Sequence, residues 1–188
     1  FHNLGYETTC NIMAISQASS EQIEEALAMI GQSSVDVIYL VDSYGSLYPE
    51  TAGALAKKYL EIGEKYGKAI GFHAHNNQNL AFANTIETLS YGVSYLDATA
   101  AGMGRGAGNC AMELLLGFLK NPKYNLYSLL TFLENYMIPL KESGVKWGYE
   151  VQYMLTGQLN RHPREAMAFT AENRTDYCEF YKSLLDNF

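Results

Sequence analysis

Ala69-Ile70-Gly71-Phe72-His73-Ala74-His75-Asn76-Asn77 reads as a buried strand that runs into a polar loop. Side chains alternate across a strand, so His73 and His75 project to the same side. Ile70, Gly71 and Phe72 suit a buried strand, while Asn76, Asn77, Gln78 and Asn79 can turn the chain and cap a helix. Two like-facing imidazoles at the carboxyl end of such a strand suggest a metal site. The alternative is a pair of core histidines bonded to backbone carbonyls.

The same unit recurs on both sides of this stretch. Upstream, Val37-Ile38-Tyr39-Leu40-Val41 is a continuous apolar run, as expected of a parallel strand covered on both faces. Asp42 to Ser46 forms its loop, and a helix runs from Pro49 to about Tyr66 with Ala52, Leu55, Ala56, Tyr59 and Leu60 on its inner stripe. Earlier still, Thr8 to Ala14 has strand character. Ser19 and Gln22 offer a capping box to a helix striped with Ile23, Ala26, Leu27 and Ile30. Phe1 to Tyr6 reads as the tail of a helix closed by Gly5.

Downstream, Leu80, Ala83, Ile86 or Glu87, and Leu89 mark a helix ending near Gly92. Tyr95 to Thr99 is a fourth strand, and a glycine-rich loop leads to a helix with Met112, Leu115, Leu116 and Leu119. Four strand–helix alternations predict an α/β fold with a parallel sheet. After Pro122 the pattern is helical, with Leu126, Leu129, Leu130, Leu133 and Met137 in one stripe. Two or three short helices follow, interrupted at Pro163 and Asn173.

The 188 residues carry a net charge of −7, which argues against nucleic acid or an anionic membrane as partner. No apolar run approaches the roughly 20 residues of a membrane span. Three scattered cysteines fit neither a zinc ribbon nor a redox pair, and a reducing, cytoplasmic setting suits them. The 15 tyrosines and eight phenylalanines read as core and packed surface, because no basic groove accompanies them.

Loops at the carboxyl ends of parallel strands hold the chemistry of such folds. Here they contain Asp42-Ser43, His73 to Asn77, and Asp97 to Asn109. Paired histidines can give neutral nitrogen ligands to a divalent cation, with oxygen ligands from elsewhere. Asn109 is a candidate oxygen donor, or else an ordinary helix N-cap. Ser43 and Asp42 are candidates for positioning a substrate carboxylate or orienting a ligand histidine, or else for turn chemistry. The glycines of Gly102-Met103-Gly104-Arg105-Gly106-Ala107-Gly108 permit positive φ and close approach, and backbone amides ahead of a helix favour an anion. The loop lacks the Gly-Lys-Ser ending of a nucleotide-binding loop and the spacing of a dinucleotide fingerprint.

His73-Ala74-His75-Asn76-Asn77-Gln78-Asn79-Leu80-Ala81-Phe82-Ala83-Asn84 and Tyr95-Leu96-Asp97-Ala98-Thr99-Ala100-Ala101-Gly102-Met103-Gly104-Arg105-Gly106-Ala107-Gly108-Asn109 together resemble the metal-dependent pyruvate aldolase superfamily. That superfamily includes 4-hydroxy-2-oxovalerate aldolase, 3-hydroxy-3-methylglutaryl-CoA lyase and the isopropylmalate and homocitrate synthases. Val41-Asp42-Ser43-x-Gly45 and the long glycine run resemble the aldolase branch. The resemblance is strong over about residues 11–119 and weak in the tail. It implies a TIM barrel in which His73 and His75 ligate Mn²⁺ or Mg²⁺ and Asn109 lies at or near the metal. Ser43 would sit near the carboxylate of a 2-oxo acid substrate, and Tyr153 would reach the site from the tail. The implied reaction cleaves a 4-hydroxy-2-oxo acid to pyruvate and an aldehyde. The lyase's reactive cysteine has no counterpart in this loop, which weighs against acyl-CoA lyase activity.

The superfamily's first strand carries an Arg-Asp pair, and its aspartate is the third protein ligand. No such strand occurs here. The resemblance therefore implies that residues 1–121 are the last four strand–helix units, the second half of a TIM (β/α)8 barrel from a longer protein, with residues 122–188 a helical C-terminal extension. Open sheet edges imply homo-oligomerisation or completion by further chain. The resemblance also implies an acylating aldehyde dehydrogenase as a partner. The alternatives are an acyl-CoA-condensing synthase or lyase of the same superfamily and a non-catalytic barrel serving as a binding or scaffold module.

Overall fold

A computed structural model describes residues 1–186. Strand and helix alternate as expected: β1 (Thr9–Ile12), α1 (Ser20–Gly31), β2 (Val37–Asp42), α2 (Pro49–Tyr66), β3 (Ala69–Ala74), α3 (Ala81–Tyr91), β4 (Tyr95–Leu96) and α4 (Met112–Leu119). Every strand pairing is parallel and the sheet order is β1-β2-β3-β4. The helices α1, α2 and α3 are therefore crossovers between neighbouring strands, and α4 follows the last of them.

Alternation divides the sheet into two faces. Ile38, Leu40, Ile70 and Phe72 meet the helices and form the main core with Leu27, Ala52, Ala56, Tyr59 and Leu115. Val37, Tyr39 and Val41 point the other way and pack on Ala69 and Tyr95. All of β2 is consequently buried, which is why its sequence is a continuous apolar run. The Ser19 capping box closes as expected, with the Gln22 amide donating to Ser19 Oγ at 3.3 Å and the Ser19 amide to Gln22 Oε1 at 2.9 Å. Gly5 at φ 84° does end a helical turn, but the turn is a 3-10 helix, His2–Leu4.

Two elements differ from the periodicity. β4 has only Tyr95–Leu96, because the chain then leaves the ladder and Thr99 returns as an isolated bridge to Ala111. The buried face of α3 is Ala81, Asn84, Thr85 and Thr88, whereas Ala83 is exposed. Polar residues can take that face because their donors are used: the two threonine hydroxyls bond within the helix and the Asn84 amide reaches the loop after β2, although Asn84 Oδ1 has no partner among the described residues. Thr85 Oγ1 donates to Ala81 O at 2.7 Å, Thr88 Oγ1 to Thr85 O at 3.0 Å, and Asn84 Nδ2 to Leu47 O at 2.8 Å.

The tail begins with α5 (Leu126–Phe132), a π-helical turn (Leu133–Met137) and α6 (Ile138–Glu142). Pro139 lacks an N–H, and the turn before it widens. The expected stripe is thereby broken: Met137 is buried, while Leu126 and Leu130 are exposed. Then come α7 (Val151–Gln158), α8 (Arg164–Ala171) and α9 (Tyr177–Leu185), which share a core of Leu155, Phe169, Phe180 and Leu184. Asn160 ties this segment to the strand ends. Its Nδ2 donates to Ser16 O at 2.9 Å, its Oδ1 accepts from Ser46 Oγ at 3.0 Å, and its carbonyl accepts from Gln17 Nε2 at 2.7 Å. Residues 187 and 188, the end of the expected extension, lie outside the described residues. Cys10, Cys110 and Cys178 are free, and no helix among the described residues is long and apolar enough to cross a membrane.

β2 ends in a carboxylate that is 1% exposed. Asp42 Oδ1 accepts from the Ser46 amide at 3.0 Å and Oδ2 from the Leu47 amide at 3.2 Å, so this side chain builds the turn. Burial outweighs these bonds and pushes Asp42 up to about 6. With the folded value above the unfolded one, Asp42 contributes stability below about pH 4 that is lost as pH rises through about 6. Urea unfolding should therefore show the wild type gaining up to about 3 kcal/mol relative to Asp42→Asn between about pH 7.5 and about pH 4. A difference independent of pH would contradict the buried charge.

Candidate functional site

The alternation that directs His73 away from the helices persists past the end of β3. The His73 and His75 rings meet edge to face, with centroids 5.2 Å apart and planes at 80°. His73 Nδ1 lies 2.9 Å from Asp97 Oδ2, and His75 Nδ1 lies 3.3 Å from Gly108 O. Both partners accept, so each ring donates from Nδ1–H and keeps its lone pair on Nε2. Neither Nε2 has a hydrogen-bond partner among the described residues. Burial, reinforced by the Arg105 guanidinium and the neighbouring His73 ring, pushes His75 down to about 4 and keeps it neutral at pH 7.

An isolated antiparallel bridge sets Asn109 beside His75. Asn109 Nδ2 donates to Met103 O at 3.0 Å, while Oδ1 is buried without a hydrogen-bond partner. The N-cap of α4 is Ala111, so Asn109 does not serve as the cap. A buried acceptor left unfilled costs about 1–3 kcal/mol, which a ligand at this position would offset. Two imidazole nitrogens and one amide oxygen fit part of the shell of a divalent cation such as Mn²⁺ or Mg²⁺. Among the described residues, no three His, Cys, Asp or Glu side chains form a metal cluster, so these donors are a partial set.

Ser43 lies one strand away and is buried. Its Oγ accepts from the Ala14 amide at 2.8 Å, and its hydroxyl proton has no acceptor among the described residues. Its carbonyl accepts from Arg105 Nη2 at 2.8 Å, which joins the glycine loop to the end of β2. Tyr153, 7% exposed, packs with Ala107 and Ala166 beneath Gly106, and its carbonyl accepts from Asn77 Nδ2 at 3.2 Å. Its hydroxyl and that of Tyr44 face the Arg105 guanidinium electrostatically. The Tyr44 ring meets His162 edge-on at 5.3 Å. His73, His75 and Asn109 are thus gathered at the end of β3, Arg105 joins the glycine loop to the Ser43 backbone, and Tyr153 packs beneath that loop from the tail.

The glycine loop folds back on itself. Gly106 at φ 56° and Gly108 at φ 85° adopt backbone that other residues rarely take. The Gly106 carbonyl accepts from the Gly148 amide at 3.0 Å, and Trp147 Nε1 donates to Ala101 O at 2.9 Å. Part of the loop's backbone is tied internally rather than open to an anion. The amides of Gly102, Met103, Gly108 and Asn109 are spent on Thr99 O, Ala100 O, Arg105 O and Gly102 O respectively.

Asp97 and Arg105 are site residues that the local patterns did not single out. Asp97 follows Tyr95 by two residues and so shares the His73 face, a signal that alternation does contain. No local pattern shows that Arg105 turns inward.

A family model described as HMGL-like matches residues 2–134. The chain belongs to the HMGL-like family. A 4-hydroxy-2-oxovalerate aldolase of Thermus thermophilus is 36% identical to it over 141 residues, 73% of this chain and 40% of the relative. This HMGL-like chain thus spans about two-fifths of the length of the curated relatives it matches. Among solved structures, the N-terminal domain of a candidate aldolase from Bacteroides vulgatus is 31% identical, with a TM-score of 0.73 over 90% of this chain and 56% of the other. HMG-CoA lyase from Bacillus subtilis, 19% identical, shares the fold with a TM-score of 0.64 over 76% of this chain and 52% of that one. These neighbours place the HMGL-like chain in the TIM-barrel superfamily.

A Cβ on Gly106 would enter the Tyr153 ring, and its backbone disfavours other residues. Gly106→Ala should lower stability by about 1–3 kcal/mol in denaturant unfolding. Paired Gly106→Ala/Tyr153→Ala should show a favourable coupling, because the clash is removed. Strictly additive losses would mean that ring and loop do not meet.

Proposed function

We propose that the intact protein is a divalent-metal-dependent aldolase that cleaves a 4-hydroxy-2-oxo acid to pyruvate and an aldehyde. The observation that carries this reading is the pair His73 and His75, each pinned at Nδ1 and open at Nε2, beside the orphaned Asn109 Oδ1. The 4-hydroxy-2-oxovalerate aldolase relatives give the reaction class.

His73, His75 and Asn109 would hold Mn²⁺ or Mg²⁺. When bound, the cation supplies positive charge to the oxygens of the 2-oxo acid as the carbon–carbon bond breaks. Asp97 fixes the orientation of His73, and Gly108 O that of His75, so neither ring must reorganise. Ser43 offers a hydroxyl proton to the substrate carboxylate. The Tyr153 hydroxyl is the candidate for moving a proton at the reacting carbon.

The sheet supports reading this chain as the second half of the barrel. β1 and β4 each have an unpaired edge among the described residues, and Met13, at the carboxyl end of β1, is 68% exposed. In this reading the missing carboxylate ligand belongs to a strand elsewhere in the protein, and the assembled enzyme works in the cytoplasm.

Manganese binding by the intact protein, followed by electron paramagnetic resonance, tests the proposal. One Mn²⁺ should bind per subunit, and the double variant His73→Ala/His75→Ala should bind none. Asp97→Asn should weaken binding about 10- to 100-fold. Stoichiometric Mn²⁺ retained by the double variant would sink the assignment, as would pyruvate release unaffected by a chelator.

A further inference from the structure

Arg105 has an exposed side chain whose guanidinium has no carboxylate partner among the described residues. Nη2 donates to Ser43 O, and no other hydrogen bond or ion pair to Arg105 occurs among the described residues. The groups that act on it electrostatically are the hydroxyls of Tyr44 and Tyr153, and it acts in turn on His75 and His162. All of these are neutral or cationic. Desolvation already disfavours its charge.

Its placement is built rather than incidental. The Arg105 carbonyl is held by the Gly108 amide at 3.0 Å, and the next residue, Gly106, is held by the Gly148 amide at 3.0 Å and backed by the Tyr153 ring. With the backbone fixed on both sides, the side chain extends to the end of β2. There it reaches Ser43, whose hydroxyl proton also lacks an acceptor. A rigid fork of N–H donors and a free O–H beside it match a planar carboxylate.

The geometry points to Arg105 as the specificity residue that receives the C1 carboxylate of the 2-oxo acid, with the Ser43 hydroxyl as a second donor. This rests on the aldolase reading and adds to it the group that selects an acid over a neutral ketone. Arg105 binds and orients. It exchanges no proton, since a guanidinium stays charged throughout.

The test is calorimetric binding of pyruvate and of pyruvamide, its uncharged analogue, to the intact protein loaded with Mn²⁺. The wild type should prefer pyruvate by about tenfold or more, the worth of one charge-assisted contact. Arg105→Ala should weaken pyruvate about 10- to 100-fold, bring the two affinities together and leave Mn²⁺ affinity within about twofold. Arg105→Lys should recover part of the preference, which separates lost charge from lost folding. Equal weakening of both ligands, or unchanged pyruvate binding in Arg105→Ala, would overturn the inference. A wild type that takes no Mn²⁺ would defeat the metal-aldolase reading alone. The metal-free protein then decides on Arg105: a preference for pyruvate that depends on Arg105 supports the carboxylate site, and the absence of one overturns it.

Discussion

The strict alternation of side chains along β3 is the constraint from which the site follows. Ile70, Phe72 and Ala74 are committed to the helix-side core, so Gly71 and His73 must face the other way. Gly71 leaves a space that the Tyr39 ring fills, since a Cβ there would lie 2.6 Å from Tyr39 Cε1 and Cζ. Tyr39 then reaches Asp97, and Asp97 holds His73 Nδ1. Burial, the charge of Asp97 and the bond to it raise the Tyr39 hydroxyl, which keeps it a donor. A missing side chain on one strand thereby fixes the tautomer of an imidazole one layer above.

The tail contributes by the same economy of space. Gly157 packs against Asn77 and the Gly45 carbonyl, where a Cβ would lie 2.8 and 3.0 Å away. Asn77 donates to Tyr153 O, Gln78 Nε2 to Gly45 O, and Asn160 bridges the loops after β1 and β2. These polar contacts span the β1, β2 and β3 ends at once. The tail is therefore fastened to the carboxyl-end loops, and that brings Tyr153 under the glycine loop.

What the sequence discloses follows from how local each determinant is. The Ser19–Gln22 box, the extent of α2 and the buried run of β2 depend on residues within a few positions of one another, and they formed as expected. The buried face of α3 departs from its apolar periodicity because hydroxyls bonded to their own helix behave as small core residues, which a count of apolar positions passes over. The histidine pair could be read from spacing and from family resemblance. Asp97 and Arg105 acquire their roles through contacts 24 and 62 residues away; alternation gives the face of Asp97 but not its partner, and no local pattern encodes the reach of Arg105.

Charge balance ties the parts of the site together. His73 and His75 present neutral nitrogens, Asn109 a neutral oxygen, and Asp97 a carboxylate that is turned to His73 Nδ1. A divalent cation held by these donors would share its surroundings with the Arg105 guanidinium, and like charges in a partly desolvated site repel strongly. The two are compatible once negative charge lies between them. On the proposed reading, a carboxylate ligand from elsewhere in the intact protein would neutralise part of the metal's charge, and the carboxylate of a 2-oxo acid would supply the rest. A neutral ketone would leave that repulsion in place, so selection for an acid would arise from the same electrostatics that would hold the metal.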